Sequence, residues 1–418
     1  MDRRKFLNNS ALILSASALP GIVSGKVESN QAKKVTIDDN IYRKVFDASL
    51  IKDPVIIESI RLVKNGKVYI VIVRSKDGAE GYAVSHPKFM EALWPVFLNY
   101  VVPPFIGKDA REIEKLLNDV YLFDSNYKKQ GLLFWVPVAS LEFAILDLLG
   151  KIAGTSIASF FGGITRTEIE VYRASEKRGN KPEEEIAYLK RIVEPIGARA
   201  LKFRLGARMR YDDSSTKRDL QLIPLVRKTF GDDFTIYADA NGSYDVSMAL
   251  KIGRIMGEQR YGFFEEPAPF DYYEETKEIA DNLEINIAGG EEESSLRMFK
   301  WMIENDVVQI VQPDLLYFGG LIRSVKVARM AQAAGINCTP HMSGNGLGYL
   351  YVLHFASFVP NSGRFQEFKG DDDKVPFICS TSSLKAVKGK MSVPTGPGLG
   401  IEIDPDFIKS STEVKINK

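Results

Sequence analysis

The chain has 418 residues, 45% of them hydrophobic, and its 55 basic and 54 acidic side chains leave a net charge of +1. Such an apolar share is ample for a large core and excludes a disordered chain or a disulfide-dependent mini-domain. The charge balance gives no pull toward nucleic acid or an anionic membrane surface.

The first stretch, MDRRKFLNNSALILSASALPGIVSG, has a basic start, a modest apolar centre and small residues near its end. That is the profile of an export address. Arg3 and Arg4 followed by Phe6 and Leu7 resemble a twin-arginine signal, although Asp2 and Asn8 depart from its commonest form. Residues 1–30 are therefore read as signal and linker, with a periplasmic destination. No run of about 18 apolar residues follows, so no internal membrane span is expected.

Residues 54 to 84 read as strands, with β-branched alternation punctuated by a hairpin signal at KNGK and a turn at KDG. From 89 to 161 the pattern turns helical, as in ASLEFAILDLLGKIAG, and closes on Gly150 and Gly154. Together these make an α+β segment. From 168 a new rhythm begins. Eight short apolar runs, IEVYRAS, RALKFRLG, FTIYADANG, YGFFEEP, INIAGGE, VVQIVQPD, INCTPHM and GRFQEF, alternate with helical stretches. Alternation of this kind implies parallel βαβ units, and eight of them suggest a closed (β/α)8 barrel. A doubly wound sheet would need a glycine-rich phosphate turn after its first strand, and YRASEKRGN is not one.

Six strand ends carry a polar group: Asp239, Glu265, Glu291, Asp314, His341 and Glu367, at steps of 26, 26, 23, 27 and 26 residues. One βα unit consumes about that length, so all six fall at the same height, the rim where barrel enzymes place their chemistry. The first three are carboxylates on adjacent strands and would repel one another without a cation. All-oxygen ligands favour a hard ion such as Mg²⁺. Strand alternation puts Phe263 and Glu265 on one face and Phe264 and Glu266 on the other. If Glu265 faces the ion, Glu266 is left to the barrel wall, in a structural ion pair. The two cysteines, Cys338 and Cys379, cannot build a thiolate cage, and Cys338 reads as a buried free thiol. His354, in an apolar helical run, reads as structural.

YADAN, FEEP, IAGGE, QPDLLYFGG and TPHMSGNG, with LDLLGKIAG and the closing VPTGPGLGIEID, resemble the enolase superfamily, specifically its mandelate racemase subgroup. The resemblance covers nearly the whole chain after the leader. It implies an α+β capping domain (31–162, completed by about 385–418) and a modified (β/α)8 catalytic barrel (163–384). It also implies metal-assisted removal of the proton alpha to a carboxylate. It assigns the metal to Asp239, Glu265 and Glu291, makes His341 and Asp314 an acid/base dyad, and has Glu367 hydrogen-bond the substrate as its enolate forms.

The physical case runs in parallel. The proton alpha to a carboxylate is very weakly acidic, so catalysis must stabilise charge where it develops. A histidine titrates near neutral pH, and a carboxylate partner fixes its tautomer. The second strand, ALKFRLG, sends Lys202 and Arg204 inward. Racemases of the subgroup resemble Lys-x-Lys here, the second lysine being a base. Arginine stays protonated and is a poor base. That leaves a one-base reaction, dehydration of a sugar acid to a 2-keto-3-deoxy acid. Lys202 stabilises the enolate oxygen and Arg204 holds a substrate carboxylate or hydroxyl. An epimerase or cycloisomerase is the alternative enzyme reading, and a sugar-acid-binding protein the alternative of another class. Tyr82 and His86, on the capping loop, are candidates for the substrate wall, and KGDDDK (369–374) reads as a solvated loop. The resemblance also implies a homo-oligomer.

Overall fold

The computed structural model describes residues 37–343, 346–371 and 374–416; the stretch read above as an export signal lies outside them. The capping sheet is antiparallel. Strand β1 (Ile57–Asn65) pairs with β2 (Val68–Ser75), and β2 with β3 (Glu80–Val84). KNGK makes the first turn with Gly66 at φ +56°, and KDG the second with Gly78 at φ +89°, a backbone region that glycine enters without steric cost. Three helices pack beside this sheet: α1 (Pro87–Val96), α2 (Ile113–Leu122) and α3 (Leu132–Ala153).

Helix α3 is the one described helix long and apolar enough to cross a membrane, but 89% of its most apolar window is buried within the protein. It is a core element, and its acidic residues are joints. Asp147 accepts from Tyr82 N and Leu399 N, both at 2.8 Å, and from Lys151 Nζ at 2.6 Å. It thereby ties the helix to β3 and to the C-terminal segment. Glu142 accepts from Ile322 N at 2.9 Å. It thus caps the N-terminus of the barrel helix Leu321–Ala333, and burial pushes its carboxyl up to about 8. A Cβ on Gly150 would lie 2.6 Å from Gly398 Cα, so the LDLLGKIAG and GPGLG motifs are complementary backbones in contact.

Gly81 on β3 faces α3 still more closely, a Cβ there falling 2.2 Å from Ala144 O and 2.4 Å from Leu148 N. Backbone atoms cannot swing aside, so Gly81→Ala is expected to cost about 1–3 kcal/mol by overpacking. Urea unfolding checks this. An unchanged midpoint would mean that the cap is looser than its geometry implies.

The eight expected barrel strands are all present and parallel: β4 (Glu168–Ala174), β5 (Ala200–Arg204), β6 (Thr235–Asp239), β7 (Phe263–Glu265), β8 (Ile287–Gly289), β9 (Ile310–Val311), β10 (Asn337–Cys338) and β11 (Phe365–Phe368). They are ordered β10-β9-β8-β7-β6-β5-β4-β11. Seven interfaces are paired ladders. Among the described residues the eighth, β10 to β11, has no ladder; Met342 N, four residues past β10, donates to the Glu367 side chain of β11 at 3.0 Å. Seven helices alternate with the strands: α4 (Pro182–Val193), α5 (Asp213–Phe230), α6 (Val246–Glu258), α7 (Tyr273–Asp281), α8 (Leu296–Glu304), α9 (Leu321–Ala333) and α10 (Gly348–Phe358). The C-terminal segment does not return straight to the cap. Residues Lys390–Ser392 first pair with β4, and only Thr412–Glu413 join β1.

Candidate active site

The barrel interior is layered by strand alternation. Tyr172, Tyr237, Phe263 and Phe365 plug it, with Tyr237 stacked on Phe263 at 3.9 Å. Asp239, Glu265 and Glu367 each stand two residues beyond such a plug and therefore face the same interior, one layer higher. Lys202 follows Ala200 in the same way. Left-handed residues at two strand ends turn the chain sharply after the ligating position: Asn241 at φ +41° and Glu266 at φ +43°.

Carboxylate oxygens of Asp239, Glu265 and Glu291 lie within 4.8 Å of one another, and all three residues are buried. Glu291 Oε2 is buried and, apart from His341 Nε2 at 3.3 Å, has no polar partner among the described residues. Three convergent carboxylates with an orphaned oxygen suit a divalent hard cation. Burial pushes the Glu291 carboxyl up to about 7, with His341 opposing and Glu266 assisting.

Lys202 Nζ donates to both Glu265 oxygens, at 2.7 and 2.8 Å, and lies 3.2 Å from Glu367 Oε1. Gln312 Nε2 donates to Glu265 at 2.9 Å. Burial alone would raise the Glu265 and Glu367 carboxyls. The Lys202 ammonium outweighs it, holding Glu265 below and Glu367 well below the usual range. His341 Nδ1 lies 2.7 Å from Asp314 Oδ2, while Nε2 points to Glu291 Oε2 at 3.3 Å. Asp314 Oδ1 is fixed by Leu316 N, Tyr317 N and Ser343 Oγ at 2.8 to 3.0 Å. Burial opposes the imidazolium, but Glu291, Glu367 and Asp314 overcome it and raise the His341 pKa. The expected site residues on the barrel are thus brought together.

Three expectations change. Arg204 is occupied: it contacts Asp239, lies 3.2 Å from Asn241 Oδ1 and donates to Ser175 O at 3.1 Å. Its guanidinium braces a carboxylate of the acidic cluster, whereas a substrate group was the expected partner. Glu266 forms no ion pair among the described residues. It accepts from Asn241 Nδ2 at 3.1 Å and lies within 4.8 Å of a Glu292 oxygen, and burial beside that second carboxyl raises it well above the usual range. The turn after β7 aims it at another acid and away from the outer wall. Tyr82 turns from the barrel: its hydroxyl bonds Glu80, in a pocket shared with Asp147 and Lys151. Because β3 packs on α3, that face of the strand meets the cap's own helix.

His86 does reach the site. It caps α1 by accepting from Phe89 N at 3.3 Å, and its ring lies 5.9 Å from that of Tyr317, which lies 6.1 Å from His341. Burial lowers His86 to about 4, so it is neutral. It lines a cavity of about 620 Å³ between cap and rim, with Ser85, Leu316, Ser343 and Leu347. His354 is structural, bonded to Leu399 O at 3.1 Å, and both cysteines are free thiols. Sequence reasoning missed Lys369, whose Nζ lies 3.4 Å from His341 Nε2. The available signal was alternation, since Lys369 stands two residues after Glu367.

Residues 184–407 match the family model described as "Enolase C-terminal domain-like". The chain is 28% identical to an arabinonate dehydratase of Saccharolobus solfataricus, over 79% of this chain and 87% of that one. It is also 28% identical to a D-galactarolactone cycloisomerase of Agrobacterium fabrum, over 81% and 89%. A mandelate racemase/muconate lactonizing protein from Paracoccus denitrificans, solved with magnesium, superposes with a TM-score of 0.78. It shares 26% identity, over 87% of this chain and all of that one.

Proposed function

Because the chain belongs to the enolase superfamily, in its mandelate racemase subgroup, we propose that this enzyme dehydrates a sugar acid to a 2-keto-3-deoxy acid. The observation that carries the reading is the His341–Asp314 dyad beside the acidic cluster, with Arg204 engaged elsewhere. One base faces the site where a racemase needs two. His341 Nε2 takes the alpha proton, and Asp314 holds the ring and balances the imidazolium. Lys202 and Glu367 flank the developing enolate, the first as a cation and the second as a hydrogen-bonding partner. Mg²⁺ bound by Asp239, Glu265 and Glu291 would supply the positive charge that offsets the carboxylate and its enolate. His86 and Tyr317 close the cap side. The leader supports action in the periplasm after export, and the resemblance supports a homo-oligomer.

The test is a panel of five- and six-carbon aldonates, assayed for keto acid with Mg²⁺ and with chelator. Turnover is expected with Mg²⁺ and is expected to vanish with chelator. Inversion at the alpha carbon without keto acid would replace this reading with an epimerase, and binding without turnover with a binding protein. A cycloisomerase is the second reading, supported by the similarity to the D-galactarolactone cycloisomerase.

A further inference from the structure

We infer that Lys369 is a second catalytic residue, the acid that delivers a proton to the departing β-oxygen; the inference rests on the dehydration reading above. The chain continues from β11 so that Lys369 re-enters the interior two residues past Glu367, and its side chain is only 10% exposed. Its ammonium contacts Met342 O, lies 3.4 Å from His341 Nε2 and 3.8 Å from Glu367 Oε2. No carboxylate oxygen among the described residues approaches it within hydrogen-bond distance; with Met342 O and His341 Nε2 beside it, one of its three donors remains for a ligand.

That placement matters because Nε2 is the atom that meets the alpha proton. The β-oxygen is attached one carbon further along the substrate. A cation 3.4 Å from Nε2 therefore stands beside that oxygen on the same face. The step balances as follows. The Cα–H bond breaks and its proton goes to Nε2. The Cα–H electron pair first enters the carboxylate as an enolate and then returns to form the Cα=Cβ bond as Cβ–O breaks. The oxygen leaves with a proton from Lys369 as water. The enol product then takes a proton at Cβ to become the keto acid, and solvent reprotonates the lysine. With Lys369 present, His341 need not both hold the abstracted proton and hand it over.

The test follows the two bonds separately in D2O on the aldonate panel. Lys369→Met is expected to lower keto-acid formation by at least about 100-fold, while deuterium exchange at Cα falls by less than about tenfold. Persisting exchange also shows that the variant is folded. Lys369→Arg keeps the charge but yields its proton far less readily, and is expected to stay at least about tenfold below wild type. Full recovery with arginine, undiminished keto acid in the Met variant, or parallel loss of exchange and keto acid would each overturn the role. A wild-type enzyme that neither exchanges nor eliminates on any aldonate overturns the dehydration reading itself, and this inference with it, before any variant is made.

Discussion

His341→Asn is expected to lower keto-acid formation roughly 10²–10⁴-fold and to abolish Cα deuterium exchange together with it. Asparagine can keep a hydrogen bond to Asp314, whose other oxygen is already fixed by two backbone amides and Ser343. The pocket should therefore hold its shape. What is lost is a group that can take a proton near neutral pH. The double loss separates this variant from Lys369→Met, which removes the later step and spares exchange. Mg²⁺ affinity, measured by titration calorimetry, should stay within a few-fold, because His341 is not among the three ligating carboxylates. Exchange that survives in the asparagine variant would show that another group is the base.

Much of this site was legible because a βα unit has a nearly fixed length. Six polar residues in phase can only be a rim, and the rim gathers Asp239, Glu265, Glu291, Asp314, His341 and Glu367. Period-two alternation gave the inward direction of Lys202 and Glu265. The departures come from forces that a single strand does not encode. Glu266 reaches Glu292 through a left-handed turn, and such turns by non-glycine residues leave little trace in composition. Tyr82 is placed by the packing of β3 on α3, a contact between segments more than sixty residues apart. Lys369 was hidden in KGDDDK, whose charge reads as solvated, although the alternation starting at Glu367 carried on through it. Arg204 faces inward as expected. Its partner, Asp239, lies on the neighbouring strand in direct register, which only the ladder reveals.

Lys202→Met is expected to be the most destabilising change in the barrel, costing about 3–5 kcal/mol. The ammonium is fully buried and serves two carboxylates at once, so its loss strips Glu265 of its one paired cation and leaves Glu367 only the more distant Lys369, at 3.8 Å. The sign of the pH dependence follows from the shifts. In the wild type, Lys202 holds both carboxyls below their ordinary range. Their stabilisation is present above the unfolded pKa and is lost only as pH falls through the depressed folded values. Without the lysine, burial is the dominant influence on Glu265, and it raises the folded value above the unfolded one. A group shifted that way favours the fold below its unfolded pKa, and that contribution fades as pH rises through the folded pKa. The stability gap between variant and wild type should therefore widen from about pH 5 to about pH 8. Urea unfolding in chelator-containing buffer at both values reads it directly. A gap that stays constant or narrows would mean that the two carboxylates find another cation, and Arg204, already in contact with Asp239, would be the first to examine.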